Sequence, residues 1–122
     1  MDVLVGVCGS ENSFHALETA IKRAEQAGDE VTVAILDEPS TDLTKQAVRE
    51  RVTAIVDESD VPTDIRVIDG QPGANIVEIA GRDAFDHVVL GGCDRTPMGK
   101  IQLSDVAQFV LFNADVSVTI VR

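Results

Sequence analysis

The stretch Asp86-His-Val-Val-Leu-Gly-Gly-Cys-Asp-Arg-Thr-Pro-Met-Gly-Lys-Ile-Gln-Leu-Ser-Asp-Val106 decides the fold. It opens with a short apolar run, His87 to Leu90, of the length and β-branched content of a strand buried on both faces in a parallel sheet. Gly91 and Gly92 follow where such a strand leaves the sheet, and a polar loop with Pro97 and Gly99 comes after them. Ser104 then starts a new apolar segment as a good helix N-cap, with Asp105 in the positive first turn. Strand, glycine loop and helix N-terminus form the backbone arrangement that binds phosphate in open α/β proteins.

Working outward, the rest of the chain repeats the pattern. Val3 to Val7 reads as a buried strand, and Cys8-Gly9-Ser10 as its exit turn. From Ser13 to Ala27, apolar residues at three- and four-residue steps (Phe14, Leu17, Ile21, Ala24) predict an amphipathic helix ended by Gly28. Val31 to Leu36 is a second strand. Thr41 or Asp42 is expected to cap a second helix, with Leu43, Val48, Val52, Ile55 and Val56 inward, that stops before Pro62. Ile65 to Ile68 is a third strand, and Pro72 opens a third helix at a first helical position. The helix from Ser104 to Asn113 is almost wholly apolar, so burial on more than one side is expected. Val116 to Val121 closes the chain as an alternating strand with one wetter face. Five strands alternating with four helices predict a single α/β domain over residues 1–122, with a parallel sheet, right-handed crossovers and helices on both faces.

Composition narrows the function classes. The 122 residues carry 21 acids against 10 bases, a net charge of −11. That field repels nucleic acid and anionic membranes, so neither is an expected partner. Asp supplies 13 of the acids while Lys occurs only at 22, 45 and 100, which points to a surface suited to high salt, a halophilic trait. Two cysteines, no basic leader at Met1-Asp2-Val3 and no apolar run of membrane-spanning length predict a cytoplasmic protein. The sequence holds no Ser-His-Asp spacing, His-Glu-x-x-His or Cys-x-x-Cys, so nucleophilic or zinc catalysis has no support and no metal site is expected. His15 is expected in solvent and His87 at a strand edge. Cys8 and Cys93 both fall just past strand ends; they read either as small space-filling residues or as a thiol redox pair.

Two segments resemble the universal stress protein family. In that family a loop reading Gly-x-x-Gly, nine residues, then Gly-Ser or Gly-Thr holds ATP phosphates and ribose in the nucleotide-binding members. Here Gly91 matches the first glycine and the nine-residue spacing from Asp94 to Ser104 is kept. Asp94 stands at the second glycine, Ser104 at the third and Asp105 at the hydroxyl. Asp2 to Ser13 is similar to the family's first strand and Asp-Gly-Ser turn, with Cys8 in place of the aspartate. The resemblance implies a Rossmann-like sheet of strand order 3-2-1-4-5 with a ligand crevice between the first and fourth strands. It also implies a non-catalytic role in stress response or signalling. The candidate nucleotide residues are Cys8, Gly91, Gly92, Asp94, Arg95, Ser104, Asp105 and Val106, a degenerate version of the family's set. Asp94 and Asp105 put carboxylates where phosphate would sit, and Arg95 and Lys100 are the residues able to compensate. No tightly bound cofactor is expected, and ATP or AMP only weakly. The alternatives are an ATP-binding switch with weak or no ATPase activity, and a redox sensor using Cys8 and Cys93. A homodimer through Val116–Val121 and the last helix is expected, because no helix follows to cover that edge; a further protein partner is left open.

Overall fold

The computed structural model describes residues 1–36, 43–91, 93–95 and 101–121, with segments 93–95 and 101–103 as backbone alone. In chain order the elements are β1 (Asp2–Val7), α1 (Glu11–Ala27), β2 (Glu30–Ile35), α2 (Lys45–Asp57), β3 (Thr63–Val67) and α3 (Pro72–Arg82). These are followed by β4 (His87–Gly91), β5 (Cys93–Arg95), β6 (Ile101–Leu103), α4 (Asp105–Asn113) and β7 (Ser117–Val121). Five strands form one parallel sheet in the order β3-β2-β1-β4-β7, the expected doubly wound arrangement. β1 lies between β2 and β4, so the chain reverses its direction of winding between β1 and β4, with Gly6 opposite Leu90.

Alternation along the strands splits the core in two. Val3, Val5 and Val7 of β1 pack with Phe14, Leu17 and Ile21 of α1 and with Val48 and Val52 of α2. Leu4 faces the other way, toward Ile76 and Ile79 of α3, Val110 of α4 and Val88 and Leu90 of β4. The inner strands are covered on both faces, which is why they read as unbroken apolar runs.

Local chemistry moves several boundaries. α1 begins at Glu11 rather than Ser13, because Ser10 is the N-cap and its Oγ accepts from Ser13 N at 3.2 Å. Gly9, at φ 98°, makes the preceding turn in a region that other residues avoid. Ser13 is buried inside the first turn and donates its hydroxyl to the Ser10 carbonyl at 2.7 Å. α2 is capped by Thr44, whose Oγ1 accepts from Ala47 N at 3.1 Å. Leu43 therefore precedes the helix and is exposed instead of inward; Thr41 and Asp42 lie outside the described residues. Gly28 caps α1 in the left-handed region, and Pro72 opens α3.

Two expectations are corrected. The loop after β4 is not structureless: β5 and β6 pair antiparallel, Asp94 opposite Gln102. And α4 is not buried on several sides in the single chain. It buries Ala107 and Val110, while Phe109 and Leu111 stay exposed and Phe112 is 83% exposed.

Candidate functional site

Three segments converge at the carboxyl ends of β1 and β4: the β1–α1 turn, the end of β4 and the first turn of α4. They enclose a cavity of about 60 Å³ lined by Cys8, Ser10, Asn12, Gly91, Ser104 and Val106, with Leu36 at the end of β2. Two of these, Ser10 and Ser104, are N-caps. Ser104 Oγ accepts from Ala107 N at 3.2 Å just as Ser10 Oγ accepts from Ser13 N, so each hydroxyl keeps its own proton to donate. Both helices thus turn their positive ends to the same cavity. Cys8 is half-buried, its Sγ 3.6 Å from Ser10 Oγ.

Gly91 has a packing reason for being glycine. A Cβ there would lie 2.2 Å from the Asn12 carbonyl oxygen and 2.5 Å from Ser13 N. The end of β4 rests directly on the backbone of α1's first turn, and this contact forms the floor of the crevice. A second cleft of about 290 Å³ is lined by Gln71, Pro72, Gly73, Asp105 and Phe109 and shares Val106 with the cavity as a lining residue. It lies between the N-termini of α3 and α4. Gln71 is the N-cap of α3 but its side chain makes no capping hydrogen bond, and Gly73 lets Phe109 approach to 3.0 Å of where its Cβ would be.

Of the sequence-predicted residues, the structure brings together Cys8, Gly91, Ser104 and Val106, and puts Asp105 in the adjoining cleft. Asp94 and Arg95 are placed as β5 backbone only, and Gly92 and Lys100 lie outside the described residues. The alternative reading, a pairing of Cys8 with Cys93, likewise falls on a side chain outside them. Sequence reasoning missed Ser10, Asn12 and Gln71. Ser10 carried a signal, being a cap-type residue directly after a strand-exit glycine.

The two histidines stand apart from the crevice. His15 is exposed on α1. His87 begins β4 at the end away from the crevice and, against expectation, at no sheet edge, since it pairs with Val3 on β1 and Ser117 on β7; its Nε2 is 2.6 Å from Thr119 Oγ1 on β7. Burial, and then the charge of Arg23, hold its pKa below the usual imidazole value against the opposing pull of Asp29. At the mouth of α1, Arg51 forms a two-pronged pair with Glu11 (2.8 and 3.0 Å) and lies 4.1 Å over the Phe14 ring. Hydrogen bonding to Arg51, reinforced by its charge, lowers the Glu11 pKa. Among the described residues no cluster of three or more His, Cys, Asp or Glu is placed to hold a metal ion, and no helix is long and apolar enough to cross a membrane.

Comparisons with known proteins agree with this architecture. Stress response protein NhaX of Bacillus subtilis is 24% identical, the match covering 98% of this chain and 96% of that protein. Universal stress protein MJ0531 of Methanocaldococcus jannaschii is 26% identical over 98% of this chain and 81% of that protein. A universal stress protein structure from Archaeoglobus fulgidus superimposes with a TM-score of 0.81 at 21% identity, covering 100% of this chain and 98% of that one. A universal stress protein solved in complex with cAMP gives a TM-score of 0.78 at 22% identity, covering 100% and 96%. The family model described as the universal stress protein family matches residues 1–122, and the chain belongs to that family.

Proposed function

We propose that this chain is a cytoplasmic, non-catalytic stress-response protein whose crevice between β1 and β4 binds an adenine nucleotide weakly. The observation that carries the reading is the cavity itself. It lies at the switch point of the sheet, between two helix N-termini, with the hydroxyls of Ser10 and Ser104 available as donors. A structural neighbour solved with cAMP in place supports the ligand class. At about 60 Å³ the cavity has room for a few waters or one phosphate-sized group, not for a whole nucleotide, so base and ribose would lie outside it and gain little burial. The role of the protein is then to report or act through a partner according to occupancy, and no reacting group is assigned.

Calorimetry of the full chain with Mg-ATP and with AMP tests this. The expected dissociation constants are on the order of a millimolar, about −4 kcal/mol. Micromolar ATP binding, or adenine nucleotide released when the purified protein is denatured, would replace this reading with that of an ATP-dependent switch.

A further inference from the structure

If the crevice takes a nucleotide, as proposed above, the cavity and the cleft that shares Val106 with it differ in charge in a way that selects among nucleotides. The inner cavity is lined by neutral donors and apolar groups and has the size of one phosphate. Any longer phosphate chain must leave it. The neighbouring space, which has Val106 in common with it as a lining residue, is the 290 Å³ cleft between the N-termini of α3 and α4. Two helix N-termini, one of them with no side-chain cap, would by themselves draw a second and third phosphate into that cleft. Asp105 stands there instead, exposed on the first turn of α4, the only carboxylate among the described residues lining the two spaces.

We infer that Asp105 is a specificity-determining residue that makes the crevice a site for nucleosides and nucleoside monophosphates and turns polyphosphates away. The charge of a monophosphate, about −1.5 to −2 at neutral pH, is met by the Ser10 and Ser104 hydroxyls before it reaches Asp105. Each further phosphate brings more negative charge toward a carboxylate at the place where the backbone would otherwise welcome it. The same charge cancels the attraction of the two helix ends, so polyphosphates lose on both counts.

The test is calorimetry of the full chain in metal-free buffer at low salt with adenosine, AMP and ATP. Native protein is compared with Asp105→Asn and with Asp60→Asn, which makes the same change of net charge at the other edge of the sheet. Native protein should bind AMP at least as well as ATP. Asp105→Asn should improve ATP relative to AMP by about tenfold or more and leave adenosine unchanged, and molar KCl should shrink the difference. Asp60→Asn should alter neither ratio. Native preference for ATP, an unchanged ATP-to-AMP ratio in Asp105→Asn, or an equal gain in both variants overturns the inference while leaving nucleotide binding in place. Binding of none of the three ligands by any of the proteins instead removes the nucleotide reading itself.

Discussion

Gly91 sits against Asn12 so closely that a single added carbon on Gly91 would be 2.2 Å from the Asn12 carbonyl oxygen. The two are 79 positions apart in the chain, yet their contact fixes how the first turn of α1 meets the end of β4. That turn cannot easily give way, because Ser13 donates two hydrogen bonds to Ser10, from its backbone N–H to the Ser10 hydroxyl and from its own hydroxyl to the Ser10 carbonyl. We predict that Gly91→Ala costs about 1–3 kcal/mol, the range of overpacking in a fitted site. Gly81 in α3 has nothing within 4 Å of its added Cβ, and Gly81→Ala should stabilise by about 0.5–1 kcal/mol. Urea unfolding of both variants decides it. Similar effects at the two glycines would show that the close approach is not a constraint.

The same glycine marks how far the sequence could be read. The β-branched run of β4 and its glycine exit were legible because a doubly covered strand needs apolar side chains at every position. The reason for the glycine was not, since its neighbour is set by tertiary packing and leaves no local trace. Thr41, Asp42 and Thr44 are all cap-type residues, so chemistry alone could not rank them, and geometry chose Thr44. The antiparallel pairing of β5 with β6 was invisible because its three-residue strands, such as Cys93-Asp94-Arg95, hold no β-branched run or period. α4 was read correctly as apolar and wrongly as enclosed: composition reports surface that wants burial, not whether one chain can bury it. The crevice was found through Gly91, Ser104 and Val106, while Asn12 and Gln71 have ordinary helix-start chemistry.

Acid should weaken the protein through its ion pairs. The Glu11 carboxyl is lowered from 4.5 by hydrogen bonding to Arg51, and Asp83 from 3.8 by hydrogen bonding to Arg66 and Arg82. With folded values below unfolded ones, the unfolded chain takes up protons first. Their stabilisation is therefore complete above about pH 4.5 and is lost as pH falls through the folded values. We predict that thermal midpoints measured from pH 6 to pH 3 fall more steeply in native protein than in Arg51→Gln. Parallel curves would show that the Arg51–Glu11 pair contributes nothing to acid sensitivity.

Salt should act in the opposite sense to its effect on those pairs. Screening weakens exposed pairs such as Arg51–Glu11 and Arg66–Asp83, which contribute little in high dielectric. It also relieves the repulsion of a chain at −11, spread over its whole length. The second effect involves many more charges and wins. We predict midpoints higher by several degrees in molar KCl than at low salt. A flat or falling midpoint would count against adaptation of this surface to high salt.

The last prediction concerns the edge of the sheet. β7 pairs with β4 on one side, and its other side has no strand among the described residues. An uncovered parallel edge invites a further strand. Beside it α4 exposes Phe109 and Leu111 by about two-fifths and Phe112 by 83%. A two-fold axis beside β7 would close both defects at once, each copy covering the other's edge and its phenylalanines. We predict a homodimer at micromolar concentration, seen by sedimentation in high salt. Phe112 makes a clean probe because it is the most exposed of the three, so replacing it leaves the monomer core intact. Burying one phenylalanine stabilises by about 1.5–3 kcal/mol, and a symmetric interface contains it twice. Phe112→Asp should then weaken the dimer by at least about a hundredfold while shifting the urea midpoint of the isolated chain little. A native protein that sediments as monomer, or a Phe112→Asp dimer as tight as the native one, would place the interface elsewhere or remove it.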